Sequence, residues 1–195
     1  MIVRLRTSRA ARLIALGLAG GVLVVAAAFA VRRWAGPRPT VVTPQSPAVP
    51  ARKIQATLFY LSPDGTRLVP VEREVPFSEG TAEQAKRIVE AQVAPPPPDA
   101  VTAIPSGTTL RALYVLKDGQ AYVDLTREAA TAHPGGTLNE ILTVYTIVEA
   151  LTTNLPAITS VHLLVDGREV ETLAGHVDLR RPLRPNTLWV HHDTR

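Results

Sequence analysis

Apolar and polar residues alternate in several short stretches of the chain after residue 53, and turn residues separate the stretches. A period of two is typical of β-strands with one face on a core. Asp-Gly pairs at 64–65, 118–119 and 166–167 each lie between two such stretches. Glycine accepts positive φ at little cost and aspartate tolerates it, so these pairs are typical of hairpin turns. The pattern therefore predicts three β-hairpins.

The middle hairpin shows the alternation most clearly. The apolar positions expected to share one face of a strand are Leu110, Ala112, Tyr114 and Leu116 on the first strand, and Ala121, Val123 and Leu125 on the second. Aromatic and β-branched residues at this spacing favour strands over helices.

Two helices are predicted between the hairpins. The first begins near Thr81 and ends at Ala94-Pro95, where a run of prolines starts, and Gln84 stands at the spacing of a capping box. The second begins in the sequence GGTLNEILTVYTIVEALTTN at 135–154, with Thr137 expected as N-cap and Glu140 as its capping-box partner. The core-facing stripe expected on this helix is Leu138, Ile141, Tyr145, Val148 and Leu151.

The N-terminal part of the chain has a different pattern. Residues 13–31 form an uncharged run of 19 residues, LIALGLAGGVLVVAAAFAV, which is long enough to span a bilayer as a helix. Four arginines precede it, which predicts a cytoplasmic N-terminus and an exported remainder. Ala28-Phe29-Ala30 also has the form of a signal-peptidase site, so a cleaved signal sequence is the alternative. Residues 1–34 are thus assigned to a membrane anchor or signal sequence.

A proline-rich linker is predicted at 35–52, because five prolines in this stretch disfavour both helix and sheet. An extended chain of this length would hold a domain up to roughly 50 Å from the membrane.

The charge of the chain is unevenly distributed. Residues 1–38 contain seven arginines and no acidic residue, which gives this segment a charge of +7. The other 14 basic and 17 acidic residues leave 39–195 at −3, in agreement with the total of +4. The basic pI thus reflects the membrane segment, and no nucleic-acid binding is expected from the rest.

The sequence contains no recognisable catalytic, cofactor-binding or metal-binding constellation. Cysteine is absent, and the GxSxG, HExxH and P-loop motifs are absent as well. Gly135-Gly136 with Glu140 is interpreted as helix-capping scaffold. Glu72 and Glu74 lie two apart on a predicted strand, hence on one face, and they provide the alternative of a carboxylate-pair hydrolase.

Four segments in a fixed order resemble the GerMN domain, the sporulation and germination domain of the GerM family. They are LFYLSPDGTRLVPVEREV at 58–75, AIPSGTTLRALYVLKDGQAYVDLT at 103–126, GGTLNEILTVYTIVEALTTN at 135–154, and ITSVHLLVDGREVETLAGHVDLRRPL at 158–183. The resemblance implies a bacterial, envelope-facing domain at 53–183 without catalytic residues, followed by a C-terminal tail at 184–195. It also implies that the matching positions are fold determinants: Gly135, Gly136, Glu140, Asp166 and Gly167.

The resulting expectation is an α+β domain, a hairpin-rich sheet packed with two main helices, on a membrane stalk. Its function is expected to be that of a non-enzymatic envelope or sporulation-related module with a protein or peptidoglycan partner, single-pass in the cell membrane, with the domain on the extracytoplasmic side. No cofactor is expected, and the oligomeric state stays open. The hydrolase using Glu72 and Glu74 is the alternative.

Overall fold

The computed structural model describes residues 52–191, which form an α+β domain with two sheets and two main helices. The elements are β1 (Lys53–Leu61), β2 (Leu68–Pro76), α1 (Thr81–Val93), β3 (Leu110–Val115), β4 (Gln120–Leu125), the short α2 (Glu128–Thr131), α3 (Thr137–Asn154), β5 (Ser160–Val165) and β6 (Arg168–Glu169). The predicted helix bounds agree closely with α1 and α3.

All three predicted hairpins are present, but they belong to two sheets. The first sheet is the antiparallel pair β1–β2, and the second has the order β3-β4-β5-β6. Within the second sheet β4 and β5 are parallel, with Ala121 opposite Val161 and Val123 opposite Leu163. Parallel neighbours need a crossover connection, which α3 supplies between them. The local sequence pattern predicts the hairpins and contains no signal for this parallel contact.

Helix α3 packs on both hydrophobic clusters of the domain. Val144, Ile147 and Leu151 belong to the cluster under the four-stranded sheet. Leu142 and Ala150 belong to the cluster under β1 and β2. The predicted stripe is thus only partly correct, because Leu138 is exposed and α3 buries more than one face.

The core-facing side of β3 differs from the face expected for Tyr114 and Leu116. Leu113 is 1 % exposed and points into the core, whereas Tyr114 is 63 % exposed and Leu116 is exposed as well. A register shift between Leu110 and Ala112 interrupts the alternation along the strand. Because both faces of this strand contain large apolar residues, period two alone did not identify the buried one.

Side-chain amides cover the free edge of β1. Gln92 of α1 accepts from the Phe59 amide and donates to the Phe59 carbonyl, both at 2.8 Å. Asn154 of α3 accepts from the Thr57 amide at 2.8 Å and donates to the Thr57 carbonyl at 2.7 Å. These two amides bond the strand edge as a neighbouring strand would.

The segment after Leu183, expected to be a tail, packs on the domain as far as His191. The Asn186 amide donates to Glu149 at 2.6 Å. The Trp189 ring lies 6.4 Å from that of Tyr145. The His191 amide donates to the Leu68 carbonyl at 2.7 Å. This segment therefore joins α3 to the start of β2.

The predicted anchor at 13–31 and residues 35–51 of the predicted linker lie outside the described residues. Between residues 52 and 191, no helix combines the length and the hydrophobicity required to cross a membrane.

The Gln92 contact gives a test of the fold. Replacing Gln92 by Leu leaves the amide and the carbonyl of Phe59 buried without partners, because Gln92 is itself fully buried. We expect the free energy of unfolding to fall by about 2–4 kcal/mol, measured by urea denaturation. Gln55→Leu, at an exposed position of β1, is the matched control and should change it by less than about 0.5 kcal/mol. Equal losses in the two variants would contradict the role assigned to Gln92.

Candidate functional site

The capping boxes predicted for α1 and α3 are absent. The N-cap residues are Gly80 and Gly136, both at positive φ, and neither helix start has a side-chain capping bond. Gln84 instead accepts from the Ser78 amide at 2.8 Å. Glycine occupies the N-cap because the chain enters each helix in a conformation that other residues rarely adopt. Thr137 is therefore an exposed first residue of α3.

Glu140 is 0 % exposed and binds a loop that is distant in sequence. Its Oε1 accepts from the Leu173 amide at 2.8 Å and from the Ala174 amide at 3.0 Å. Its Oε2 accepts from the His176 amide at 2.8 Å and lies 3.2 Å from the His176 Nδ1. One carboxylate thus organises the loop 173–176. The capping role predicted for Glu140 is therefore wrong, because its carboxylate makes tertiary contacts with this loop.

The environment of Glu140 favours its charged form. Burial by itself raises the pKa of this carboxyl, but the backbone N–H donors of the loop outweigh that effect and hold the pKa below its usual value. A general acid requires the opposite shift. Glu140 is therefore unsuited to donate a proton near neutral pH.

A second polar network lies beside Glu140 and fixes the turn before α3. The Gly135 amide donates to His133 Nδ1 at 2.9 Å, so the proton of the neutral ring lies on Nε2, 3.1 Å from the Thr143 hydroxyl. That hydroxyl donates to the Ala103 carbonyl at 2.7 Å. Burial lowers the pKa of His133, in agreement with a neutral ring. The HPGG segment is therefore held by hydrogen bonds and presents no free base.

Glu72 and Glu74 lie exposed on β2, and so does Arg73 between them. Glu74 accepts from Lys53 at 2.7 Å, and the pKa of Glu74 is lowered by this bond. A glycosidase acid needs a raised pKa and a cleft that holds the sugar ring. Neither residue lines the two cavities described below.

Asp124 and His162, two further residues with side chains capable of acid–base chemistry, occupy structural positions. Asp124 accepts from the Gly167 amide at 2.8 Å and so holds the β5–β6 turn. His162 is buried and stacks on Tyr122 with ring centroids 5.2 Å apart. In the part of the chain that the structure describes, no three His, Asp or Glu side chains gather as metal ligands would.

A cavity of about 570 Å³ opens between the end of α1, the proline run after it and the loop before β3. This size is within the range of small-molecule and peptide sites. Its lining is mostly apolar: Val93, Ala94, Pro95, Pro96, Ile104, Pro105 and Leu110. The polar side chains that line it are those of Glu90, Thr102, Ser106, Thr108 and Thr109.

Thr108 is the unusual member of this cavity wall. It is 4 % exposed, and its hydroxyl has no hydrogen-bond partner among the described residues. A buried hydroxyl without a partner costs free energy, so such groups are rare in folded proteins.

A cleft of about 300 Å³ shares Glu90 and Leu110 with the cavity. It is lined by Lys86 and Glu90 of α1 and by residues 110–114 of β3. We call the cavity and the cleft together the α1–β3 groove. Sequence reasoning missed this groove, although the IPSGT stretch at 104–108 forms part of its wall.

Comparison with known proteins gives one family match. The profile of the family described as "Germane: Sporulation and spore germination" matches residues 57–171, more than half of the chain. No curated protein sequence matches the chain.

Several solved structures are similar to this chain, and two of them are GerMN domains. The tandem GerMN domains of the sporulation protein GerM from Bacillus subtilis align with a TM-score of 0.53 and 19 % identity, over 68 % of this chain and 46 % of that one. The first GerMN domain of the same protein aligns with a TM-score of 0.49 and 19 % identity, over 67 % of this chain and 97 % of that one. The chain thus spans less than half of the tandem structure.

The Glu140 contacts predict the effect of an isosteric substitution. In Glu140→Gln, one oxygen becomes an NH₂ group that faces backbone N–H donors of the loop 173–176. We expect the free energy of unfolding to fall by about 2–4 kcal/mol at pH 7, measured by urea denaturation. Thr137→Ala, at the position where a cap was expected, should change it by less than about 0.5 kcal/mol. A larger loss of stability in Thr137→Ala than in Glu140→Gln would instead support the capping interpretation.

This loss should also depend on pH. The pKa of Glu140 is lower in the folded state than in the unfolded state, so its stabilising contribution is complete above the unfolded value. It is lost as pH falls through the folded value. The stability difference between the wild type and Glu140→Gln should therefore be constant at pH values well above the unfolded pKa of a glutamate, and it should shrink as the pH falls through the lowered folded pKa.

Proposed function

Because the chain belongs to the Germane family of sporulation and spore germination proteins, we propose that residues 53–191 form a non-enzymatic interaction module of the bacterial cell envelope. The family match agrees with the resemblance to GerMN domains seen in the sequence. A similar fold does not identify a binding partner, so the proposed role is argued from the shape and chemistry of the candidate site.

One observation carries the proposal: the cavity of the α1–β3 groove has a mostly apolar lining, and the whole groove has one carboxylate on its wall. That carboxylate, Glu90, forms an ion pair with Arg87 at 3.0 Å. A concave surface with an apolar lining and few polar groups is typical of a binding site. Hydrolysis by acid and base needs two groups with separated pKa values facing one substrate.

The hydrolase alternative has no such support. Glu72 and Glu74 are exposed on β2, and Lys53 lowers the pKa of Glu74, which favours the ionised form. Glu140 is enclosed by backbone donors and has no access to a substrate. An interaction module therefore fits the disposition of these carboxylates better than an enzyme does.

The proposed location follows from the N-terminal sequence. The apolar run at 13–31 would cross the cell membrane once, and the proline-rich segment at 35–52 would separate the domain from the bilayer. The domain would then meet envelope proteins and peptidoglycan. The charge of −3 over 39–195 disfavours polyanionic partners such as nucleic acid.

The absence of catalysis is tested with purified peptidoglycan. We expect the chain to release no soluble muropeptides during prolonged incubation, measured by reversed-phase chromatography, with lysozyme as the positive control. Release that is lost in Glu72→Gln or Glu74→Gln would establish the hydrolase in place of the module.

The topology is tested with a reporter. Alkaline phosphatase fused after Arg195 folds only outside the cytoplasm, so we expect an active fusion that sediments with membranes. Lys substitutions at Leu18 and Val24, within the apolar run, should abolish membrane sedimentation, because charges at a bilayer centre are costly. A fusion that is inactive in intact cells would contradict the extracytoplasmic location.

A further inference from the structure

We propose that the α1–β3 groove binds an uncharged, extended peptide segment of a partner protein. The segment would add as a strand to the free edge of β3 and place an apolar side chain in the cavity beside Thr108. This inference rests on the proposed interaction role and specifies the chemistry of the partner.

The cleft follows the edge of β3. Its wall contains every residue from Leu110 to Tyr114. Successive side chains of a strand point to opposite faces, so a cleft that contacts five in a row lies along the strand edge. On its other side β3 pairs with β4, and it has no further strand neighbour among residues 52–191.

The hairpin register identifies the backbone groups at this edge. Leu116 donates to the Gln120 carbonyl, and Tyr114 is paired with Tyr122 two residues further along. Hydrogen-bonded pairs alternate with non-bonded pairs along an antiparallel ladder. The N–H and C=O groups of Leu113 and Val115 therefore face away from β4. An extended peptide backbone complements groups at this two-residue spacing, as in β-strand addition.

The opposite wall of the groove is one stripe of α1. Lys86, Glu90, Val93 and Ala94 stand at i, i+4, i+7 and i+8, so they follow the helix in one row. This row therefore forms the wall of the cleft opposite the β3 edge, and we call the space between them the trough. The trough leads into the apolar cavity, whose wall includes the largely buried Thr108.

The charges beside the trough favour an uncharged segment. Lys86 pairs with Glu83 at 2.6 Å, and Glu90 pairs with Arg87 at 3.0 Å. Arg111 lies 3.5 Å from both Asp124 and Asp166. Each charged side chain of the cleft thus has an opposite charge nearby, and a charged peptide would have to compete for it.

The experiment uses the full chain in detergent and a fluorescent library of acetylated, amidated heptapeptides built from Val, Ile, Thr, Leu and Pro. We expect a subset to bind, measured by fluorescence anisotropy. N-methylation of alternate peptide bonds in a bound peptide should weaken binding at least about tenfold, because each such bond donates to the β3 edge. Methylation of the intervening bonds should have little effect.

The second part of the experiment tests the peptide-binding site with a substitution in the groove. Ala94→Arg inserts a long side chain into the cavity from an exposed C-cap position. Ala132→Arg, at the exposed C-cap of α2, is the matched control. We expect at least about tenfold weaker binding for Ala94→Arg and less than about twofold for the control, with equal urea midpoints. Bound peptide should slow amide exchange at Leu113 and Val115.

Three outcomes would overturn the proposal. The first is that no library peptide binds. The second is that peptides bind and Ala94→Arg has no effect, which places the interaction on another surface and leaves the proposed function standing. The third is that the chain self-associates through this edge without peptide, and that Ala94→Arg dissociates it, which makes a second copy the occupant.

Discussion

Helix α3 is buried on nearly every side, and this burial constrains the rest of the domain. Buried polar groups require internal partners, so the buried polar side chains of α3 bond to other parts of the chain or to the helix backbone. Glu140 holds the loop 173–176, Glu149 holds the C-terminal segment, and Asn154 holds β1. Segments far apart in sequence are thus positioned by the requirements of one helix.

The sequence predicted the local structure well, because local chemistry determines it. Asp-Gly pairs marked all three hairpins, and the proline run marked the end of α1. The capping roles predicted for Glu140 and Gln84 were wrong. A capping box and a tertiary contact can place the same residue types at the same spacing, so the sequence pattern does not distinguish them. One signal was available: Glu140 stands on the buried row with Val144, Ile147 and Leu151, and a carboxylate on such a row needs an internal partner.

The groove could not be predicted in the same way. Its walls come from α1, the loop before β3 and the edge of β3, and only the order of the sheets brings them together. The parallel contact between β4 and β5 determines that order, and it leaves β3 at the outside. The sequence contains no signal for the unpartnered hydroxyl of Thr108, because the lack of a hydrogen-bond partner is a property of its surroundings.

The edges of the two sheets differ in a way that limits how the domain can assemble. Gln92 and Asn154 occupy the edge of β1, and β2 has prolines and charged residues that oppose strand pairing. β6 has two residues, which leaves β3 as the longer open edge of its sheet. A domain with one open sheet edge can pair with one further strand, and strand addition then ends. Fibre growth requires two such edges, so this arrangement of edges disfavours polymerisation of the domain into cross-β aggregates.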